Sequence, residues 1–220
     1  MSITNPQSES HTTISSTNKA LQQYYKLHSR IYDATRWSFL FGRHTIVAQA
    51  AAITTPKHIL EVGCGTGKNL ACLANKFPEA QITGVDVSSD MLTVAKRKLA
   101  PAGPRVRLLQ QPYPFSKPGG QKYDLILFAY ALSMFNPGWE DAASAAIDEL
   151  NEGGVLAVVD FHNSSFAGFR HWMGLNHVRM EGHLLPFLKS HMDDASYKVH
   201  RAYGGVWEYA LFLGHKPASQ

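Results

Sequence analysis

The sequence predicts an α/β fold: a Rossmann-like, doubly wound and mostly parallel seven-stranded sheet, with an antiparallel C-terminal hairpin and N-terminal lid helices. Three observations predict it. Short apolar runs alternate with stretches of helical periodicity from residue 57 onward. A glycine-rich turn, Gly63-Cys64-Gly65-Thr66-Gly67, falls between the first such run and the first helix, and an acid, Asp86, closes the second run. Strand and helix in alternation imply parallel strands joined by right-handed crossovers, with helices on both faces. Such a sheet receives its ligand at the carboxyl ends of the strands, where the strand order reverses.

The elements follow in order. Residues 1–17 are rich in Ser, Thr, Asn and Gln with almost nothing to bury, so they read as a disordered tail ahead of a single domain over 18–220. Leu21, Tyr24, Tyr25, His28, Ile31 and Tyr32 recur at three- and four-residue intervals, which lays one apolar and aromatic stripe along a helix. A second helix is expected around 44–52, and together 18–55 read as lid helices. Strands are expected at 58–62, 81–86, 106–109, 123–128 and 155–159, helices at 66–77, 89–99 and 140–150, and a Pro- and Gly-bearing loop at 112–120. The rhythm then breaks into a His- and Met-rich segment over 171–192. Two β-like runs, 197–203 and 206–213, follow, and Gly204-Gly205 between them reads as a tight hairpin.

Composition narrows the class. In 220 residues, 45% are hydrophobic and 17% charged, enough apolar content for one packed core. The two cysteines, Cys64 and Cys72, are too few for a disulfide framework and lack the paired spacing of a zinc site, so a reducing cytoplasm is the expected setting. The net charge of +4 is scattered and not gathered into a basic stripe, so no nucleic-acid partner is expected, while a weak attraction to an anionic membrane surface stays open. No apolar run approaches the roughly 20 residues needed to span a bilayer, and residues 1–18 hold no apolar core for a signal peptide.

The decisive stretch is Ile59-Leu60-Glu61-Val62-Gly63-Cys64-Gly65-Thr66-Gly67-Lys68-Asn69. Glycines at a strand-to-helix turn let the backbone bend sharply and let a ligand approach the main chain. Asp86, at the end of the next strand, can accept hydrogen bonds from both hydroxyls of a ribose. The bland alternative is that these glycines and this acid serve packing alone. A dinucleotide fingerprint would need glycine or alanine where Lys68 stands, so the NAD reading loses its specific support.

The pattern apolar-apolar-Glu-apolar-GxGxG with an acid closing the next strand resembles the first two motifs of class I methyltransferases, over roughly residues 57–160. The resemblance implies S-adenosyl-L-methionine as cofactor, with Glu61, Gly63, Gly65 and Gly67 at its amino-acid end and Asp86 at its ribose. Val87, Met91, Gln111 and Phe128 then complete the cofactor contacts, with Gln111 standing where the family often places an acid near the adenine. Tyr32, Arg36 or Arg43, in the covering segment, would take the cofactor carboxylate.

The flanking segments Ile31 to Arg43, Leu132-Ser133-Met134 and Val159-Asp160-Phe161 resemble the bacterial N-methyltransferase of diacylglyceryl homoserine betaine-lipid synthesis, and methyltransferase-like relatives that include a quinone-aminating enzyme share parts of the pattern. This implies N-methylation of a small-molecule or lipid head-group amine. A non-methyl transfer from the same cofactor and a non-catalytic adenosyl-ligand binder are the alternatives. Successive methyl groups make a bulkier cation, which aromatic faces stabilise, so Tyr25, Tyr32, Trp37, Tyr130, Trp207 and Tyr209 are candidate lining residues, each of which also suits ordinary packing. Tyr32, Tyr130 and His162 are the candidate catalytic side chains, His162 because it lies just past a strand end that faces the crevice. His171, His177 and His183 are spaced by six, which does not place them on one helix face, so no metal is expected.

Overall fold

The computed structural model describes residues 39–115 and 120–218. The chain divides into two compact units, 1–40 and 41–220, and the helices and strands described belong to the second. The tail over 1–17, the aromatic stripe through Tyr32, and Arg36 and Trp37 lie outside the described residues.

The described elements are α1 (Arg43–Ile53), β1 (His58–Val62), α2 (Lys68–Lys76), β2 (Gln81–Asp86), α3 (Ser89–Leu99), β3 (Val106–Gln110), β4 (Tyr123–Ala129), α4 (Trp139–Glu149), β5 (Leu150–Asn163), α5 (Ala167–Leu175), α6 (Leu184–His191), β6 (Asp193–Ala202) and β7 (Trp207–His215). They form a seven-stranded sheet in the order β3-β2-β1-β4-β5-β7-β6. The first five strands run parallel, and β7 pairs antiparallel with both β5 and β6. The strand order reverses between β1 and β4, which puts the ligand crevice at the carboxyl ends of those two strands.

Parallel strands are covered on both faces, so β1, β4 and β5 read as near-continuous apolar runs in which both sets of alternate side chains are buried. One set, including Leu60, Ile126, Phe128, Leu156 and Phe212, packs against Trp139, Ala142 and Ala146 of α4 and Leu184, Leu185 and Leu188 of α6. On the other face α1 buries Ile46, Val47 and Ala50, and α2 buries Leu70 and Leu73. The helix α1, expected as part of a lid, is therefore a layer of the sandwich, packed on α2 and on β5.

Two boundaries depart from the sequence expectation for identifiable reasons. The first helix starts at Lys68 and not at Thr66, because Gly67 caps it from the left-handed region at φ 71°. The last parallel strand starts at Leu150 and not at Val155: Leu150 pairs with Tyr123, the register shifts, and Gly153 takes φ 69° to absorb the extra residues. The segment over 171–192 holds the end of α5 and the whole of α6, and the expected hairpin forms through a short 3-10 turn at Tyr203–Gly205.

Candidate functional site

The site is built where β1 ends. Gly63 and Cys64 donate their amides to the Val85 carbonyl at 2.9 and 3.0 Å, and Gly67 donates to the Cys64 carbonyl at 3.0 Å, so the turn is folded across the end of β2. Asp86 then locks it. Its Oδ2 accepts from the Gly65 amide at 2.8 Å and its Oδ1 from the Ser88 amide at 2.9 Å. Ser88 in turn caps α3 by accepting from the Met91 amide at 3.3 Å. A carboxylate has about four acceptor positions, so Asp86 keeps capacity for the hydroxyls of a ribose.

The three loop glycines do different things. A Cβ on Gly63 would meet Ala131 Cβ at 2.9 Å, and one on Gly67 would meet Leu99 Cδ1 at 2.9 Å and Ala95 Cβ at 3.0 Å, so these two are required by packing. Gly65 sits at φ 52°, and a Cβ there would meet nothing within 4 Å. It is the glycine whose missing side chain leaves room at the crevice.

Glu61, at the penultimate position of β1, is 1% exposed. Its Oε1 accepts from Asn69 Nδ2 at 2.8 Å, whereas its Oε2 is buried without a hydrogen-bond partner among the described residues. Burial pushes its carboxyl up to about 8, opposed by the Asn69 hydrogen bond and by the Arg43 guanidinium of α1. A buried acceptor left unsatisfied costs about 1–3 kcal/mol, so Glu61 is poised for a donor, above all a cationic one. Arg43 lies within electrostatic reach of it.

The remaining expected residues are placed as follows. Val87 is 67% exposed just past Asp86, Met91 lies on the first turn of α3, and Gln111 donates its amide to the Asp86 carbonyl at 3.3 Å with its side chain exposed. All three border the crevice on the β2 and β3 side. Phe128 is a correction. Its side chain is fully buried in the core against Tyr113, with ring centroids 6.1 Å apart, so it offers a ligand no surface. Tyr130 stands past the end of β4 at φ 59°, with its hydroxyl donating to the Phe41 carbonyl at 2.9 Å and its ring edge-on to Phe161 at 4.7 Å. Burial pushes its phenol well above the ordinary value, and its hydroxyl is engaged with the Phe41 carbonyl. His162 is half-buried, and burial lowers its imidazole below the usual histidine value. It lies against Gly182, whose amide donates to the His162 carbonyl at 2.7 Å, and it helps line a shallow recess with Leu185, Lys189 and Tyr197. Among the described residues no group of three or more His, Cys, Asp or Glu is arranged to hold a metal ion.

At the carboxyl ends of β4 and β5 and the amino end of β7 an aromatic group continues from Tyr130 through Phe161 to Trp207, with Phe161 and Trp207 centroids 5.1 Å apart. Phe41 lies 5.9 Å from Trp207, 6.1 Å from Tyr209 and 5.6 Å from Tyr203. A separate cavity of about 870 Å³ opens between the segment after β4, with Asn136 and Trp139, and the segment after β5, with Arg170, His177 and Met180; the glycine loop does not line it.

Residues 59–154 match the model of the methyltransferase domain. That span, less than half of this chain, is similar to the core of a methyltransferase. The matched span runs from β1 into β5 and contains the whole crevice floor, from Glu61 to Asp86 and Gln111. Relatives of the core include a trans-aconitate 2-methyltransferase of Rhodopseudomonas palustris, 32% identical over 48% of this chain and 39% of the relative. A malonyl-[acyl-carrier protein] O-methyltransferase of Priestia megaterium is 31% identical over 66% of this chain and 53% of the relative. The chain thus spans about half or less of the length of these curated relatives. Among solved structures, the 1,6-didemethyltoxoflavin N1-methyltransferase of Burkholderia thailandensis with bound S-adenosylhomocysteine shares the fold at a TM-score of 0.68 with 15% identity, covering 98% of this chain and 94% of that one. The N-methyltransferase NodS of Bradyrhizobium japonicum gives 0.66 with 19% identity, covering 80% and 86%.

S-adenosylmethionine is the cofactor of this core, and the residues present fit it. The unsatisfied Glu61 Oε2 suits the ammonium of its amino-acid end, the open side of Gly65 gives it room at the main chain, and Asp86 retains acceptors for its ribose.

The sequence named Asp86 and the glycines but gave no role to Asn69, which orients Glu61, or to Asp160, which is 1% exposed near the end of β5. A signal for Asp160 was there: an acid inside the apolar run Val158-Val159-Asp160-Phe161 must be satisfied somewhere.

Proposed function

We propose that the protein is an S-adenosylmethionine-dependent methyltransferase that N-methylates an amine of a small molecule or lipid head group. The observation that carries the activity is the conjunction of an open Gly65, a strand-end Asp86 and a buried, half-satisfied Glu61 at the topological switch point. The cofactor supplies a methyl group on a sulfonium, which an acceptor lone pair displaces in line. The protein's share is to bind, orient and exclude water. Glu61 holds the amino-acid end, Arg43 supplies a positive charge beside it for the carboxylate, and Asp86 fixes the ribose.

Support for an amine acceptor comes from the aromatic group beyond Tyr130. Faces of Phe, Tyr and Trp attract a cation by about 0.5–2 kcal/mol each, and Phe41, Trp207 and Tyr209 lie in mutual ring contact, with Phe161 against Trp207, at the carboxyl end of β5 and the amino end of β7. The segments that resemble the betaine-lipid enzyme favour a lipid head group and transient contact with a membrane surface, and a cytoplasmic setting goes with that reading. A second reading has its own support: the relatives named above act on trans-aconitate and on a malonyl carrier, which favours a carboxylate acceptor and O-methylation.

The test is to incubate the full chain with isotopically methyl-labelled cofactor and, in parallel, ethanolamine, phosphoethanolamine and trans-aconitate, and to follow products by mass spectrometry. S-adenosylhomocysteine with a methylated amine supports the first reading. A methyl ester supports the second. Cofactor consumption without S-adenosylhomocysteine would overturn both in favour of a non-methyl transfer, and binding without turnover would leave an adenosyl-ligand binding protein.

A further inference from the structure

Asp160 is a buried carboxylate with no ion pair among the described residues, so its hydrogen bonds have to offset the cost of burying it. Its Oδ1 accepts from its own neighbour, the Phe161 amide, at 2.8 Å, and its Oδ2 reaches across to the Ser133 amide at 3.2 Å. Ser133 belongs to the 3-10 turn Leu132–Met134 that follows β4. The backbone enters that turn through Tyr130, a bulky residue held in the left-handed region at φ 59°. Such a conformation persists only where the surroundings over-determine it. Tyr130 is pinned on one side by its amide, which donates to the Val159 carbonyl at 2.8 Å, and on the other by its hydroxyl bond to Phe41.

The turn touches the cofactor loop. Ala131 Cβ lies only 2.9 Å from where a Gly63 side chain would begin, so residues 131–133 stand against the glycine loop on the β4 side of the crevice. The Ser133 carbonyl is also used: it accepts from the Arg179 amide at 2.8 Å and from Asn136 Nδ2 at 2.6 Å. The turn is thus gripped by β5 on its amide side and by the segment before α6 on its carbonyl side.

We propose that Asp160 is a positioning residue for methyl transfer: its carboxylate holds the Tyr130–Met134 backbone against Gly63, and so fixes the crevice wall that an acceptor meets. This rests on the methyltransferase reading, but its structural half is measurable without any acceptor. The carboxylate does not touch the cofactor or the acceptor. It acts through Ser133 and Ala131.

The experiment uses the full chain and Asp160→Asn, with Asp160→Ala beside it. Amide hydrogen exchange of Ser133 is read by mass spectrometry or NMR, affinity for S-adenosylhomocysteine by calorimetry, and single-turnover transfer to whichever of ethanolamine, phosphoethanolamine or trans-aconitate the parent methylates. In the parent, the Ser133 amide should exchange as slowly as core strand amides. In Asp160→Asn it should exchange at least tenfold faster, with S-adenosylhomocysteine affinity within threefold of the parent and the transfer rate at least tenfold lower. An unprotected Ser133 amide in the parent overturns the proposal even if both variants fail to fold. Faster exchange with an unchanged transfer rate, or an equal loss of cofactor affinity and rate, would show a merely structural role and overturn it too. If the parent binds the cofactor but methylates none of the three acceptors, the acceptor reading fails, and the Ser133 exchange rates still decide whether Asp160 holds the turn.

Discussion

Replacing two glycines of one loop by alanine should separate ligand binding from folding. Gly65 and Gly67 both have positive φ, at 52° and 71°, so an L-residue at either carries the left-handed penalty of about 1–2 kcal/mol. For a domain of this size that alone lowers Tm by about 2–8 °C, at roughly 2–4 °C per kcal/mol. At Gly65 the added methyl meets open space, so the loss of stability should stop there. At Gly67 it meets Leu99 Cδ1 at 2.9 Å and Ala95 Cβ at 3.0 Å, and overpacking of that kind adds about 1–3 kcal/mol. The ligand sees the reverse. A methyl on Gly65 occupies the place where the cofactor meets the main chain, and the same 1–3 kcal/mol, now charged to the complex, weakens binding by about 5- to 150-fold. Thermal unfolding and calorimetry with S-adenosylhomocysteine on the parent, Gly65→Ala and Gly67→Ala read both effects. The reasoning is refuted if Gly65→Ala binds like the parent, or if it unfolds at a lower temperature than Gly67→Ala.

Further outcomes follow from the same site. Asp86→Ala should weaken S-adenosylhomocysteine by about 1.5–3 kcal/mol, the worth of hydrogen bonds to a charged group; it should also lower Tm, because the Gly65 and Ser88 amides lose their acceptor. Calorimetry with unchanged affinity would remove Asp86 from the ribose. Glu61 titrates near 8 in the empty crevice, above its ordinary 4.5, so its contribution to the stability of the unliganded fold is complete below about pH 4.5 and is lost as pH rises through 8. Ligand binding runs the other way. An ammonium favours the ionised carboxylate, so affinity should climb from pH 6 to 8 by at most about tenfold per unit, and Glu61→Gln should flatten the slope; a parent affinity independent of pH would dissociate Glu61 from the ammonium. His183 stacks edge-on to Trp139 with centroids 4.7 Å apart, both ring nitrogens are buried, and burial lowers it to about 4. A histidine depressed in this way contributes stability above its ordinary value of 6.5 that is lost as pH falls toward 4. Acid unfolding should therefore be shallower in His183→Phe, and an identical acid midpoint in the two proteins would count against it.

The sheet was legible because its signal is redundant. Apolar runs at β1, β4 and β5, helical spacing between them and glycine at the first turn all require one topology, and Asp86 falls at the end of β2 where that topology puts it. What escaped the sequence were properties of the third dimension. Three glycines in one turn look equivalent in the sequence, yet Gly63 and Gly67 are reserved for Ala131, Leu99 and Ala95, neighbours that no local pattern reveals. Phe128 and Tyr130 are two residues apart, and strand alternation alone would put them on one face, but β4 ends at Ala129 and the left-handed backbone of Tyr130, at φ 59°, turns it toward Phe161 and Phe41 while Phe128 stays in the α4 and α6 core. Asn69 occupies an ordinary first-turn helical position, and only the fold turns it onto Glu61. Asp160 was visible as a polar break in an apolar run, while its partner Ser133 stands 27 positions away.

Amide NMR of the full chain titrated with S-adenosylhomocysteine shows where the cofactor lies, which by this geometry is the crevice between β1 and β4. The shifts should concentrate at Gly63 to Gly67, at Asp86 to Met91 and at Gln111. Shifts confined to Asn136, Arg170 and His177 around the separate cavity, or no shifts at millimolar ligand, would contradict that placement.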